Sequence, residues 1–218
     1  MHDVSFAGWP AAEAAESEAP AATVEVWRFD GPDTASAALA VLARRTGRPP
    51  EALDLAVGPH GKPYLRESRF GFNLSHSGGL RLLALADGLE LGVDVERLRP
   101  LRRREALLAR CFTARERERL AAATDRELLR HWAAKEALVK AIGRGIAYGL
   151  RRIELDEGPD GGLVVARLDG PGGPAGRWKL VELPPIDGAV AMLAQPAPGR
   201  PVRTLRVAGA TAGALRPS

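Results

Sequence analysis

Residues 132–145 read W-A-A-K-E-A-L-V-K-A-I-G-R-G, and the fold turns on how they are taken. Ala134, Leu138, Ala141 and Ile142 recur at i, i+4, i+7 and i+8, an apolar stripe of helical period. Glu136 and Lys140 lie roughly opposite that stripe, four apart, with the acid first. An exposed Glu–Lys pair at this spacing contributes only a few tenths of a kcal/mol. The company upstream lifts the stretch above that reading: G-P-H-G-K-P at 58–63, N-L-S-H-S at 73–77 and L-G-V-D-V-E at 91–96.

Working outward, the pattern predicts an α+β protein. Val24 to Phe29 alternates as a strand. Asp33 or Thr34 caps a helix running to about Arg45, closed by Gly47 and Pro49. His60 to Lys62 sit in a turn. Phe70, Phe72 and Leu74 imply a strand leading into Ser75-His76-Ser77. Leu80 to Ala86 and Leu89 to Glu96 are apolar-rich runs separated by Asp87-Gly88, a strong hairpin signal. Helices are predicted at about 102–110, 114–122 and 125–143, with Thr113 and Glu116 as a capping box. Short strands follow at Ile153–Leu155, Leu163–Arg167, Trp178–Leu183 and Ala189–Leu193. The succession predicts two α+β halves, 23–100 and 101–196, between disordered tails at 1–22 and 197–218.

Hydrophobic residues make up 45% of the 218, enough for a core. No run approaches the ~18 apolar residues of a membrane span. No basic region followed by an apolar one marks a secretory signal at the N-terminus. Cys111, the single cysteine, excludes an intrachain disulfide and a Cys-rich zinc site. A cytoplasmic protein is the simplest fit. Nine Arg and three Glu fall between Arg97 and Arg119, a local charge of +6 that asks for an acidic partner. Phe112 is the single aromatic in the run, too few for the interleaved stacking by which single-stranded nucleic acid is bound, so nucleic acid is not the expected partner.

On one face of their strand, Asp94 and Glu96 repel each other unless a cation or water intervenes. With Glu136 they form an all-oxygen donor set suited to Mg²⁺. Lys140, Lys62 and His76 are phosphate-seeking groups. The combination reads as phosphoryl-type transfer or as Mg²⁺-dependent hydrolysis of a pyrophosphate in a nucleotide or coenzyme A. Neither Ser75 nor Ser77 has the glycines of a nucleophile elbow, and G-P-H-G-K-P is not a Walker loop.

The four motifs in this order, with W-x-x-K-E-A-x-x-K-x-x-G-x-G intact, resemble the Sfp-type 4′-phosphopantetheinyl transferases over about 52–146, and more loosely to about 195. The resemblance implies a pseudodimer of two similar α+β subdomains with coenzyme A in the cleft between them. It implies Asp94, Glu96 and Glu136 as Mg²⁺ ligands, and Glu136 as the base for an acceptor serine. Lys140 and His76 would neutralise phosphate, Ser75 and Asp94 would lie beside the pyrophosphate, and Lys62 and Pro63 would meet the adenine nucleotide. Glu136 and Lys140 are thus the expected catalytic pair. The expected reaction moves phosphopantetheine to a serine of an apo acyl or peptidyl carrier protein, leaving adenosine 3′,5′-bisphosphate. The acidic carrier would dock on Arg97–Arg119, and the enzyme would be a monomer. The segment Asp30 to Ala37 lacks Lys and Arg, where the family usually carries basic residues. Arg28, Arg44 and Arg45 are the nearest substitutes.

Overall fold

A glycine and a row of short polar side chains decide how this chain assembles. The computed structural model describes residues 23–31 and 33–207. The tail expected at 1–22 lies outside the described residues.

In chain order the elements are β1 (Val24–Asp30), α1 (Thr34–Thr46), β2 (Leu55–Val57), β3 (Pro63–Leu65), β4 (Phe70–Ser77), β5 (Leu80–Asp87), β6 (Gly92–Arg97), α2 (Arg104–Cys111), α3 (Ala114–Leu120), α4 (Asp125–Ile142), β7 (Ile153–Glu157), β8 (Leu163–Leu168), β9 (Trp178–Glu182), β10 (Ala189–Pro196) and β11 (Val202–Val207). The expected mixed α+β class is what forms. One sheet has the order β11-β1-β5-β4 and the other β6-β10-β9; β2-β3 and β7-β8 are two-stranded.

Strand parity builds four layers. On β5, Leu83 and Leu85 pack towards α1 residues Ala38, Val41 and Leu42. The alternate residues Leu80, Leu82 and Ala84 pack with Val93, Val95, Ala191 and Leu193 of the other sheet. On β10, Val190, Met192 and Ala194 turn the other way, against Ala134 and Leu138 of α4. The sequence of layers is therefore α1, sheet, sheet, α4. Each interface excludes water from apolar faces and is the main stabilising term.

β6 is an edge strand of its sheet, and its outward N–H groups need acceptors. They find side chains in place of backbone. Val93 N–H donates to Asn73 Oδ1 (2.9 Å), Val95 N–H to Ser75 Oγ (3.3 Å) and Arg97 N–H to Ser77 Oγ (3.0 Å). The polar alternation N-x-S-x-S on β4 thus stitches the two sheets together. α4 comes close on the other side. A Cβ on Gly92 would lie 2.1 Å from Ala137 O and 2.4 Å from Ala141 N, so only glycine lets the helix lie on this strand.

Three sequence expectations are corrected. Asp87-Gly88 does not turn a hairpin. β5 already has β1 on one edge and β4 on the other, so the chain must leave the sheet, and β6 pairs β10 instead. The true hairpin joins β4 to β5 through Gly78-Gly79, with Ser77 opposite Leu80 and Gly78 at φ +61°. The halves do not part near residue 100, because β6 belongs with the C-terminal strands. Nor is the first part of the tail expected at 197–218 loose, and residues 208–218 lie outside the described residues. Within that first part, β11 pairs in parallel with β1 and buries Leu205 and Val207.

Candidate active site

The site is assembled by β4, β6 and α4. Thr124 starts α4 by accepting a hydrogen bond from Glu127 N–H, and Gly143 ends it at φ +75°. Between these caps the helix is buried on most of its circumference, Ala133, Ala134, Lys135, Ala137, Leu138 and Val139 included. Glu136 and Lys140 are half-buried and do not occupy a solvated face. They are turned towards β6, which Gly92 has brought within contact.

Asp94 is the centre of the arrangement. Ser75 Oγ donates to its Oδ1 at 2.8 Å, and Lys140 Nζ donates to the same oxygen at 2.7 Å. Lys140 also bonds Ser75 Oγ (3.0 Å) and the Val93 carbonyl (3.2 Å). Three of the sequence motifs therefore meet on one carboxylate, and the partner of Lys140 is Asp94 across the seam. Among the described residues, Asp94 Oδ2 is buried with no hydrogen-bond partner.

Burial pushes the Asp94 carboxyl up, while Lys140 and Ser75 pull it down. Burial also pushes up Glu96 and Glu136, and the charge on Asp94 raises both further. Glu96 adds a smaller rise to Glu136, so the three carboxylates share one electrostatic neighbourhood. Each nevertheless has a donor of its own. Arg99 Nη1 donates to Glu96 Oε2 at 2.8 Å, and Trp132 Nε1 donates to Glu136 Oε1 at 3.4 Å. Among the described residues, no three Asp, Glu, His or Cys side chains converge as a ready set of metal ligands. The oxygen donors, their mutual repulsion and the orphaned Asp94 oxygen fit a hard cation in chemistry. Their side chains are turned to internal partners.

The other expected residues lie around this centre. His76 is exposed, on the face of β4 opposite to Ser75, with Arg81 as its cross-strand neighbour. Lys62 is bound to Glu90 (2.6 Å), to the Leu91 carbonyl (3.2 Å) and to Ala141 O near the end of α4 (3.5 Å). Around it the G-P-H-G-K-P and G-R-G turns touch: Arg144 Nη1 is 3.3 Å from His60 Nε2. Lys62 and Pro63 line a cavity of about 590 Å³, with Tyr64, Phe70, Phe72 and Glu90. That size suits a small-molecule site, yet Asp94, Glu96 and Glu136 are not in its wall. Cavity and charge cluster are separate features, joined through Lys62 and the end of α4. Of the three N-terminal arginines, Arg28 is spent on Asp30 and Arg45 on Glu25; Arg44 is exposed on α1, the outer layer.

Sequence reasoning missed the support of α4. Lys135 is fully buried, and its Nζ donates to Glu116 Oε2 (2.6 Å), Cys111 O (3.0 Å), Ile153 O (2.8 Å) and Leu150 O (3.3 Å). Glu116 also accepts from Thr113 N–H and Leu155 N–H, both within 2.9 Å. The pair ties α2, α3 and β7 to the residue next to Glu136. The one signal available was a Lys amid apolar neighbours on a helix.

Comparison with known proteins agrees with the motif order. Residues 90–189 match the family model described as ACPS, the 4′-phosphopantetheinyl transferase superfamily. The chain is 37% identical over 162 residues to the 4′-phosphopantetheinyl transferase HetI of Nostoc sp. (strain PCC 7120), covering 71% of this chain and 65% of that protein. It is 30% identical over 135 residues to the L-aminoadipate-semialdehyde dehydrogenase-phosphopantetheinyl transferase of Rattus norvegicus, covering 55% of this chain and 44% of that one. It is 33% identical over 118 residues to the 4′-phosphopantetheinyl transferase psf-1 of Bacillus pumilus, covering 52% and 49%. The matches thus span under two thirds of the length of each of these relatives.

Proposed function

The chain belongs to the 4′-phosphopantetheinyl transferase superfamily, and on that premise we propose that it transfers the phosphopantetheine arm of coenzyme A to a serine of an apo acyl or peptidyl carrier protein. The observation that carries this reading is the meeting of Ser75, Asp94 and Lys140, from three separate motifs, at 2.7–3.0 Å.

The carrier serine hydroxyl attacks the β-phosphorus of coenzyme A and a new P–O bond forms. The bond from that phosphorus to the bridging pyrophosphate oxygen breaks, and adenosine 3′,5′-bisphosphate leaves with that oxygen. Glu136 accepts the serine proton, and burial makes it a stronger base than an exposed glutamate. Lys140, held by Ser75 and Asp94, offsets phosphate charge. Lys62, Pro63, Ser75 and His76 contact coenzyme A. Asp94, Glu96 and Glu136 would hold Mg²⁺, which supplies Lewis-acid charge to the pyrophosphate. No protein nucleophile is needed, because positioning and charge neutralisation supply the catalysis.

The helix-on-sheet plan of both halves supports the pseudodimer reading, and a single chain holding both supports a monomer. No described helix is long and apolar enough to cross a membrane; the proposed use of coenzyme A and apo carriers supports a cytoplasmic reaction. The docking surface is narrower than the Arg run. Arg104, Arg115 and Arg119 are spent on Asp125, Glu154 and Asp156. Arg102, Arg103, Arg110 and Arg117 are exposed and, among the described residues, form no ion pair.

The test is intact-mass analysis of an apo carrier incubated with this protein, coenzyme A and Mg²⁺, with and without EDTA. The expected outcome is a gain of one phosphopantetheine arm that EDTA abolishes. Release of adenosine 3′,5′-bisphosphate without any carrier would instead favour a pyrophosphate hydrolase.

A further inference from the structure

The three carboxylates share one neighbourhood but do not converge, and the reason lies in what each one holds. Asp94 keeps one oxygen bare. Glu96 and Glu136 are spanned by a single pair of neighbours, Arg99 and Trp132. Arg99 Nη1 sits 2.8 Å from Glu96 Oε2 and 3.1 Å from the Arg97 carbonyl. Its guanidinium lies over the Trp132 ring at 5.9 Å, while Trp132 Nε1 faces Glu136 Oε1 at 3.4 Å. Pro100 follows Arg99 and confines its backbone to extended conformations, which limits where the side chain can reach.

We propose that Arg99 is an internal counter-ion of the carboxylate site, occupying Glu96 until a divalent cation displaces it. The inference rests on the reading of Asp94, Glu96 and Glu136 as a cation site. A guanidinium within hydrogen-bond distance of Glu96 offsets the repulsion among Asp94, Glu96 and Glu136. The same guanidinium repels an incoming divalent cation, so loading requires the Arg99–Glu96 bond to open. Arg99 is 46% exposed and can swing into water when it does. Arg99 is therefore a positioning residue that sets cation affinity, and the reacting atoms are not its partners.

The experiment is calorimetric titration of Mn²⁺ into the full chain without coenzyme A, comparing wild type, Arg99→Gln and Arg97→Gln. Arg97 is the charge control, since its Nη1 bonds the Asp187 carbonyl. Arg99→Gln is expected to bind Mn²⁺ about three- to fivefold more tightly, the scale of a partly exposed ion pair. Arg97→Gln is expected to match wild type. Unchanged or weaker binding by Arg99→Gln overturns the counter-ion and leaves the cation site standing. Equal tightening in both variants also overturns it, by tracing the gain to overall charge. Failure of every protein to bind Mn²⁺ overturns the cation site and the counter-ion with it.

Discussion

Asp94 carries two opposed influences. Burial pushes its carboxyl up, and Lys140 and Ser75 pull it back. Glu96 and Glu136 are likewise raised, first by burial and in part by Asp94. A carboxyl raised in the fold binds protons more readily there than in the unfolded chain. Its share of stability is therefore complete below the ordinary carboxylate range and is lost as pH rises through the raised values. A divalent cation that neutralises the cluster should raise the melting temperature more at neutral pH than in mild acid. Thermal melts with and without Mg²⁺ at the two pH values check this, and an equal rise at both would refute it. For catalysis, Glu136→Gln should lower kcat for carrier modification by about 10²–10⁴-fold with little change in melting temperature. On the proposed mechanism, the wild-type rate should fall on the acid side as pH drops through the raised Glu136 value, because a protonated Glu136 would not accept the serine proton.

At the scale of elements, the position of α4 on β6 depends on one missing methyl group. Gly92→Ala places a Cβ against the Ala137 carbonyl and must push the helix outward. The expected cost is about 1–3 kcal/mol of stability, together with a larger loss of activity as Lys140 is drawn off Asp94. Denaturant unfolding and turnover on the same preparation separate the two effects. Asn73→Ala removes the acceptor of the buried Val93 N–H and should cost about 1–3 kcal/mol. Lys135→Met leaves Glu116 charged and buried, and should cost about 3–5 kcal/mol. These residues fall within or beside recognisable motifs, yet their work is to hold secondary elements at the right distance.

Over the whole molecule, β11 returns the C-terminal part of the chain to the first sheet. Truncation after residue 196 would remove β11, expose the β1 edge and strip Leu205 and Val207 from the α1-side core. The truncated chain should unfold at markedly lower temperature or aggregate; a melting curve like that of the full chain would contradict the pairing. Charge is also distributed at this scale. Replacing Arg102, Arg103, Arg110 and Arg117 by Ser should slow modification of an acidic carrier and flatten its salt dependence. The same change should leave cation binding at the carboxylates unaltered.

The sequence alone determined the helices and most strands, because caps, glycine stops and period are local properties. Asp33, Thr113 with Glu116, and Gly47 act as their positions imply. It also determined the family and the residues that carry charge. What only the tertiary structure decided is which of those residues meet. Asp87-Gly88 has the local chemistry of a hairpin, but a strand with both edges occupied cannot accept another partner. Glu136 and Lys140 have the spacing of a surface pair, but Gly92 draws the helix onto β6 and gives Lys140 to Asp94. The polar residues of β4 look like a solvent face until the unsatisfied N–H groups of β6 lie against them. Hydrogen bonds and close contacts between residues 20 to 65 positions apart leave no periodic trace in the chain, because they are selected by the packing of whole layers and not by neighbours in sequence.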